Sequence, residues 1–261
     1  MSTLETVPPL RPVERCPGCG ERSSTPLGPV RGGIGLVRCR GCGLVHATAG
    51  YAPRFLDEHY ADRARRGPPG GEAGPAGPRP GSERKRQPLA LYDRLCGGRL
   101  LPAPAGARAL DIGCGPGMLL DLLREAGYAT VGIERSEAGA QAIAAGHRVH
   151  ALDIEGDVRL DERFTLITMT HVLEHLRRPE DALRWIAAHL RPEGHAIVEV
   201  PNWGDLARPL WGPRYRPLEL GDHLSFFERE TLAALVRRSG LRVHALWSAA
   251  QARTLVFPSL L

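Results

Sequence analysis

From Arg108 onward the chain alternates two hydrophobic rhythms. Short apolar runs, "ARALDIG", "ATVGIER", "RVHALDI", "FTLITMT" and "GHAIVEV", read as strands covered on both faces. The segments "MLLDLLREAG", "EAGAQAIAAG", "PEDALRWIAAHL" and "ERETLAALVRRSG" repeat apolar residues at helical spacing. Pro179 opens the third of these helices and Gly240 closes the fourth. "LRVHALWSA" and "ARTLVFPSL" predict two final strands in a hairpin. Strand–helix alternation of this kind predicts an α/β fold with a parallel, doubly wound sheet.

Upstream the rhythm changes. "LALYDRLCGGRLL", after Pro88, predicts an amphipathic helix leading into the main domain, and "FLDEHYADRARR" a short one. Between them, Gly67 to Gly81 is a Pro/Gly-rich stretch that cannot bury a core and predicts a disordered linker. "VRGGIGLVRC" and "GLVHAT" predict short strands nearer the N-terminus. The expected organisation is a small module over residues 1–50, a linker over 51–87 and an α/β domain over 88–261.

Composition adds limits. In 261 residues, 43% hydrophobic and 24% charged content is ordinary for a soluble globular protein. No apolar run approaches the ~18 residues of a membrane span. The N-terminal segment has neither the charged nor the apolar region of a secretory signal, so the expected location is cytoplasmic. The net charge of +5 resides in residues 54–108. A basic segment of this kind reads first as a solvated surface and only second as a contact for nucleic acid or an acidic partner.

Four of the six cysteines lie in the N-terminal module, as Cys16-x2-Cys19 and Cys39-x2-Cys42. Each C-x-x-C followed by glycine turns two thiolates toward one centre. Two such knuckles make a tetrahedral S4 set that suits Zn²⁺, hence a zinc ribbon. Disulfides are the alternative, and a reducing compartment disfavours them. Four thiolates leave no open coordination position, so the metal is expected to be structural, and the apolar-poor module to depend on it for folding.

"LDIGCGPG" leaves the first predicted strand and opens the first helix. Asp111, Gly113, Cys114, Gly115 and Gly117 do not follow dinucleotide G-x-G-x-x-G spacing. The alternating glycines let backbone approach a ligand closely, and the acid before them favours a cation. Glu134, followed by Arg135, ends the second strand, placed to accept from both hydroxyls of a ribose. Asp153 is placed to accept from an adenine amino group and Ile154 to cover its ring. Thr170 ends the fourth strand. A cationic nucleoside at the carboxyl edge of the sheet fits this set.

These residues, in this order, resemble the class I S-adenosylmethionine-dependent methyltransferases over about residues 88–261. The resemblance implies a Rossmann-like seven-stranded sheet whose last strand is antiparallel. It also implies S-adenosylmethionine as cofactor, with Asp111, Gly113 and Gly115 at its methionine end, Glu134 at its ribose, and Asp153 and Ile154 at its adenine. One departure is Thr165, where the related pattern reads "FD" and this chain reads "FT".

"MTHVLEHLRRPEDAL" places His171, Glu174 and His175 on one face of a helix that begins beside this crevice, and His223 follows in "GDHLSFFERETL". A hydroxyl acceptor needs its proton managed, by a histidine base or by a divalent cation. The cluster has the ligand types for Mg²⁺, Mn²⁺ or Fe²⁺. The cluster resembles that of small-RNA 2′-O-methyltransferases, which also have a later histidine, while ubiquinone-pathway O-methyltransferases and zinc-ribbon sugar C-methyltransferases share only its "EH" part, the last being longer at the C-terminus. The bland alternative is a favourable Glu174 in a first helical turn and a His175 bonded to backbone. Residues 201–223 form a long loop in which Trp203, Trp211 and Tyr215 are candidates to stack on an acceptor, and Arg214 and Arg216 to hold a phosphate.

The sequence therefore predicts a cytoplasmic methyltransferase acting on a hydroxyl or sugar carbon of a small molecule. One rival is an RNA methyltransferase, which the ribbon and basic segment permit but which lacks an NPPY-like base-flipping motif. Another is a non-catalytic interaction protein with a vestigial cofactor fold, which the intact glycines and Glu134 oppose.

Overall fold

A computed structural model describes residues 9–28, 30, 32–52, 54–56, 58, 80–204, 219–248 and 255–258. Most of the predicted linker and of the long loop thus lies outside the described residues. Five short strands come first: β1 (Leu10–Pro12), β2 (Ser24–Pro26), β3 (Leu36–Cys39), β4 (Val45–Ala47) and β5 (Ala49–Tyr51). A 3-10 turn, Pro80–Lys85, then leads into helix α1, Arg86–Leu95. α1 begins two residues before Pro88, which sits in the first turn where a missing N–H removes no helical bond.

The α/β unit follows, with β6 (Arg108–Ile112), α2 (Met118–Glu125), β7 (Ala129–Ile133), α3 (Gly139–Ala144), β8 (Arg148–His150) and β9 (Phe164–Thr170). It continues with α4 (Pro179–His189), β10 (Leu190–Val200), β11 (Ser225–Phe226), α5 (Arg229–Arg238), β12 (Trp247–Ser248) and β13 (Leu255–Pro258). Seven strands form one sheet in the order β12-β13-β10-β9-β6-β7-β8. β8, β7, β6, β9 and β10 run parallel, while β13 enters antiparallel between β10 and β12. The expected seven-stranded sheet and its closing antiparallel hairpin are both present. β8 and β12 are shorter than their apolar runs suggested. Both stand at a sheet edge, where only one neighbour holds the ladder.

The sheet is covered on both faces, as its continuous apolar strands require. Leu110, Ile112, Ile167, Met169 and Val198 share one core with Leu183 and Ile186 of α4 and with Leu232 and Val236 of α5. Ala109, Leu166 and Ile197 share the opposite core with Leu89 and Tyr92 of α1 and with Leu119, Leu122 and Leu123 of α2. Thr165, the departure from the related pattern, accepts the Arg108 amide at 3.4 Å and so ties β9 to β6.

The N-terminal strands do not close on themselves. β2, β3 and β4 form an antiparallel sheet whose fourth strand is β11, contributed by the α/β unit. Arg38 reaches both carboxylate oxygens of Glu228, at 2.9 and 3.0 Å, where that residue caps α5. Arg238 of α5 donates to the Gly18 carbonyl. Cys16, Cys39 and Leu44 join the core that α4 and α5 line. Among the described residues no helix is long and apolar enough to cross a membrane.

Candidate active site

The exits of β6, β7 and β9 lie side by side, and the glycine turn sits on them. Gly113 has a φ of +73°, and a Cβ there would lie 2.3 Å from Val172 Cγ2. The backbone therefore passes too close to the next loop for any side chain. Gly115, at φ +52°, is the opposite case: a Cβ there would meet no atom within 4 Å, so this part of the turn faces open space. Glu134 braces it, one carboxylate oxygen accepting the Gly115 amide at 2.9 Å and the other the Ser136 amide at 2.8 Å. Cys114 is buried in the turn, where desolvation and nearby Asp111 push its thiol up. Gly117 precedes α2.

Asp111 is 3% exposed and accepts the Thr168 hydroxyl at 2.7 Å. Burial raises its pKa to about 6, against the pull of Thr168 and Lys85, with Glu134 adding to the rise. Beyond β8, Asp153 meets Arg135 at 3.3 Å and accepts the Glu155 amide at 2.9 Å. Ile154 is buried against the main core. Thr170 ends β9, half-buried and in register with Glu199 of β10.

The segment after Thr170 is not the start of a long helix, as its spacing suggested. His171 takes a left-handed φ of +56°, Leu173–His175 make a single 3-10 turn, and α4 begins only at Pro179. Val172 occupies the space against Gly113, and the His171 amide donates to the Glu199 carbonyl at 2.9 Å. The His171 ring then bridges two carboxylates, with Nδ1 3.4 Å from Glu174 and Nε2 3.2 Å from Glu199. Its side chain keeps 41% of its surface exposed.

Glu174 is 1% exposed, and neither carboxylate oxygen accepts a well-formed hydrogen bond. Such a group is costly unless something else meets its charge. Two imidazole nitrogens stand beside it, His171 Nδ1 at 3.4 Å and His175 Nε2 at 3.9 Å. Ligand atoms of Glu174, His175 and His223 all lie within 4.8 Å of one another. His171 is not one of this set. His175 and His223 meet edge to face, 4.7 Å between centroids, and Asp222 holds His175 Nδ1 at 3.1 Å.

Burial opposes charge on His171, yet Glu174 and Glu199 carry its pKa up to about 9. Burial likewise opposes charge on His175, and Asp222 and Glu174 raise it to about 9. His223 is lowered, by burial first, with His175 adding to the shift. Burial works to raise Glu174, but His171 and His175 hold its pKa below the ordinary value.

Three contributors escape a reading by motif. Glu199 faces His171, Tyr92 of α1 donates to its other oxygen, and Asp222 orients His175. Glu199 had a signal, as the lone carboxylate inside the apolar run of β10. Asp222 had a weaker one, its place beside His223. Tyr92 had none, because a tyrosine at helical spacing reads as core. Trp203 does not face an acceptor: it is buried, with its ring 5.2 Å from that of Phe226, under the N-terminal strands. Trp211, Arg214, Tyr215 and Arg216 lie outside the described residues.

A second cluster lies in the N-terminal sheet. The sulfurs of Cys16, Cys19, Cys39 and Cys42 lie within 4.8 Å of one another, and all four cysteines are free. Cys16 and Cys42 sulfurs are 3.6 Å apart, and those of Cys19 and Cys39 are 3.5 Å apart. Tetrahedral zinc with bonds of ~2.3 Å spaces its sulfurs by about 3.8 Å, so the donor set and its spacing fit that ion.

Residues 82–246 match the family described as "Methyltransferase domain". Ubiquinone biosynthesis O-methyltransferase of Alkalilimnicola ehrlichii is 33% identical over 128 residues, 44% of this chain and 49% of that protein. The protein of that name from Xanthomonas axonopodis pv. citri is 31% identical over 160 residues, 54% of this chain and 64% of its own length. The chain thus spans less than two thirds of either curated relative. Among solved structures, an S-adenosylmethionine-dependent methyltransferase from Mesorhizobium loti aligns with a TM-score of 0.51 at 20% identity, covering 64% of this chain and 94% of that one. Magnesium protoporphyrin IX methyltransferase from Synechocystis, with bound S-adenosylhomocysteine, aligns with a TM-score of 0.57 at 14% identity, covering 80% and 99%. These two likenesses concern the fold. With the family match, the sheet order and the glycine turn in agreement, the chain belongs to the class I S-adenosylmethionine-dependent methyltransferases.

Proposed function

We propose that the protein methylates a hydroxyl group of a small molecule, with S-adenosylmethionine as donor and a divalent cation at Glu174, His175 and His223. The observation that carries this reading is the buried Glu174 carboxylate, without a well-formed hydrogen bond and beside two imidazoles. One oxygen and two nitrogen donors suit Mg²⁺, Mn²⁺ or Fe²⁺. In this reading Asp222 fixes the His175 ring through Nδ1, and Nε2 lies on the Glu174 side, 3.9 Å from its carboxylate. A cation held there supplies Lewis acidity to the acceptor hydroxyl.

The donor, when bound, supplies a methyl group already activated on a sulfonium. The chain's own task is then to hold the acceptor in line and to manage one proton. The open side of Gly115 leaves room for the methionine end, and ionised Asp111 favours its positive charge. The lone pairs that Glu134 does not give to Gly115 and Ser136 are free for ribose hydroxyls. Asp153 and Ile154 are assigned to the adenine. We assign residues 1–50 to a zinc ribbon with Cys16, Cys19, Cys39 and Cys42 as ligands, 51–87 to a linker and 88–261 to the catalytic domain. Free thiols gathered for a metal fit a reducing compartment, hence the cytoplasm.

The test is a panel of phenolic, catecholic, sugar and RNA acceptors with isotope-labelled donor, with and without Mn²⁺. The expected product is a methyl ether that Mn²⁺ increases and Glu174→Gln abolishes. Transfer to carbon or RNA alone, or transfer indifferent to both Mn²⁺ and Glu174→Gln, would overturn the proposal.

A further inference from the structure

The loop that carries Asp222 and His223 is held from two sides. On one side the Leu224 amide donates to the Glu174 carbonyl at 2.8 Å. On the other, the Leu224 carbonyl accepts the Ala47 amide at 3.0 Å, and the Gly221 carbonyl accepts the Tyr51 amide at 2.7 Å. Immediately afterwards Ser225 pairs with His46 and Phe226 with Val45. The contact is close. A Cβ on Gly221 would fall 2.4 Å from the Tyr51 ring, and one on Gly50 would fall 2.3 Å from Leu224 Cδ2 and 3.2 Å from the Gly221 carbonyl. Phe226 is buried with Ile34, Val45 and Ala47, all from the N-terminal module.

The template for this pairing is itself set by the cysteines. Cys39 ends β3, and its amide donates to the Leu44 carbonyl at 2.9 Å across the second knuckle, immediately before β4. The β3–β4 hairpin that presents Ala47 therefore depends on the turn between Cys39 and Cys42.

We propose that the cysteine ribbon is a positioning element of the catalytic centre. With its metal bound, β4 and β5 fix residues 221–226 so that Asp222 and His223 face Glu174 and His175. This rests on the reading of that cluster as the acceptor side of the site. Its consequence is a separation of functions. Loss of the ribbon metal releases the acceptor side, while the glycine turn, built on β6 and β7, keeps its shape and its affinity for the donor.

Two full-length variants test this by amide hydrogen exchange, metal content and calorimetric titration with S-adenosylhomocysteine. Cys39→Ser removes a metal ligand. Gly50→Val leaves all four cysteines and wedges the ribbon away from Leu224. In both, the Leu224 and Phe226 amides should exchange at least about tenfold faster, amides of β6 and β7 should keep their rates, and affinity should stay within about twofold. Gly50→Val should retain its zinc. Unchanged exchange at Leu224 and Phe226 in either variant, or equal loosening of β6 and β7 in both, overturns the proposal. Failure of the unaltered protein to bind S-adenosylhomocysteine would sink the donor site instead, and the exchange data would still decide the ribbon's role.

Discussion

The seven-stranded sheet and the cysteine ribbon hold their shapes in different ways. In the sheet, Phe164, Leu166, Ile167, Leu110 and Ile112 are sealed from solvent, and helices cover both faces. Hydrophobic burial is sufficient to order it. The ribbon has few such residues and leaves Leu27 and Val30 exposed. It draws order from four converging sulfurs and from a strand that belongs to its neighbour. The smaller unit is therefore not an appendage. A region short of apolar residues completes itself on the loop that carries Asp222 and His223, and the two become one structure at β11.

Metal removal should separate the two regions most sharply. Structural zinc contributes about 10–16 kcal/mol to small metal-dependent folds, so a strong chelator should unfold the ribbon outright. Proteolysis should then cut within residues 9–52 while the sheet resists. Equal resistance in both regions would erase the contrast. Phe164→Ala probes the other side. It should cost about 3–5 kcal/mol in urea denaturation and leave zinc content unchanged. Glu134→Ala is a smaller and more local change. It should weaken S-adenosylhomocysteine binding by roughly 10–100-fold, through lost charge-assisted hydrogen bonds, without altering ribbon exchange.

The smallest effect is one of pH. Asp111 has its pKa raised from 3.8 to about 6 in the fold. Its contribution to stability is fully present below about pH 4 and is lost as pH rises through about 6. A cationic donor reverses the preference by favouring the carboxylate. Stabilisation by S-adenosylmethionine in thermal melts should therefore grow between about pH 5 and 7. Asp111→Asn should flatten that growth.

Much of this was legible in the chain. The strand runs from "ARALDIG" to "GHAIVEV" fixed the parallel sheet, because a continuous apolar strand must be covered twice. The glycine turn and Glu134 were visible because close backbone approach and a strand-tip carboxylate depend on local sequence. The four cysteines were visible because their spacing is itself the geometry. What depends on the meeting of distant segments was hidden. The pairing of β11 with β4 joins Phe226 to Val45, and nothing in "LSFF" announces a ribbon strand. Tyr92 reaches Glu199 from a helix more than a hundred residues away. His171 misled by its spacing, because helical periodicity says nothing of a left-handed residue that breaks the helix.

That left-handed residue has one more consequence. A histidine at φ +56° carries backbone strain of order 1–3 kcal/mol, which glycine would relieve. His171→Gly should therefore melt at a higher temperature than His171→Ala, which loses the same ring contacts but keeps a strained Cβ. In this fold the strain is offset by the ring's two carboxylate partners, Glu174 and Glu199.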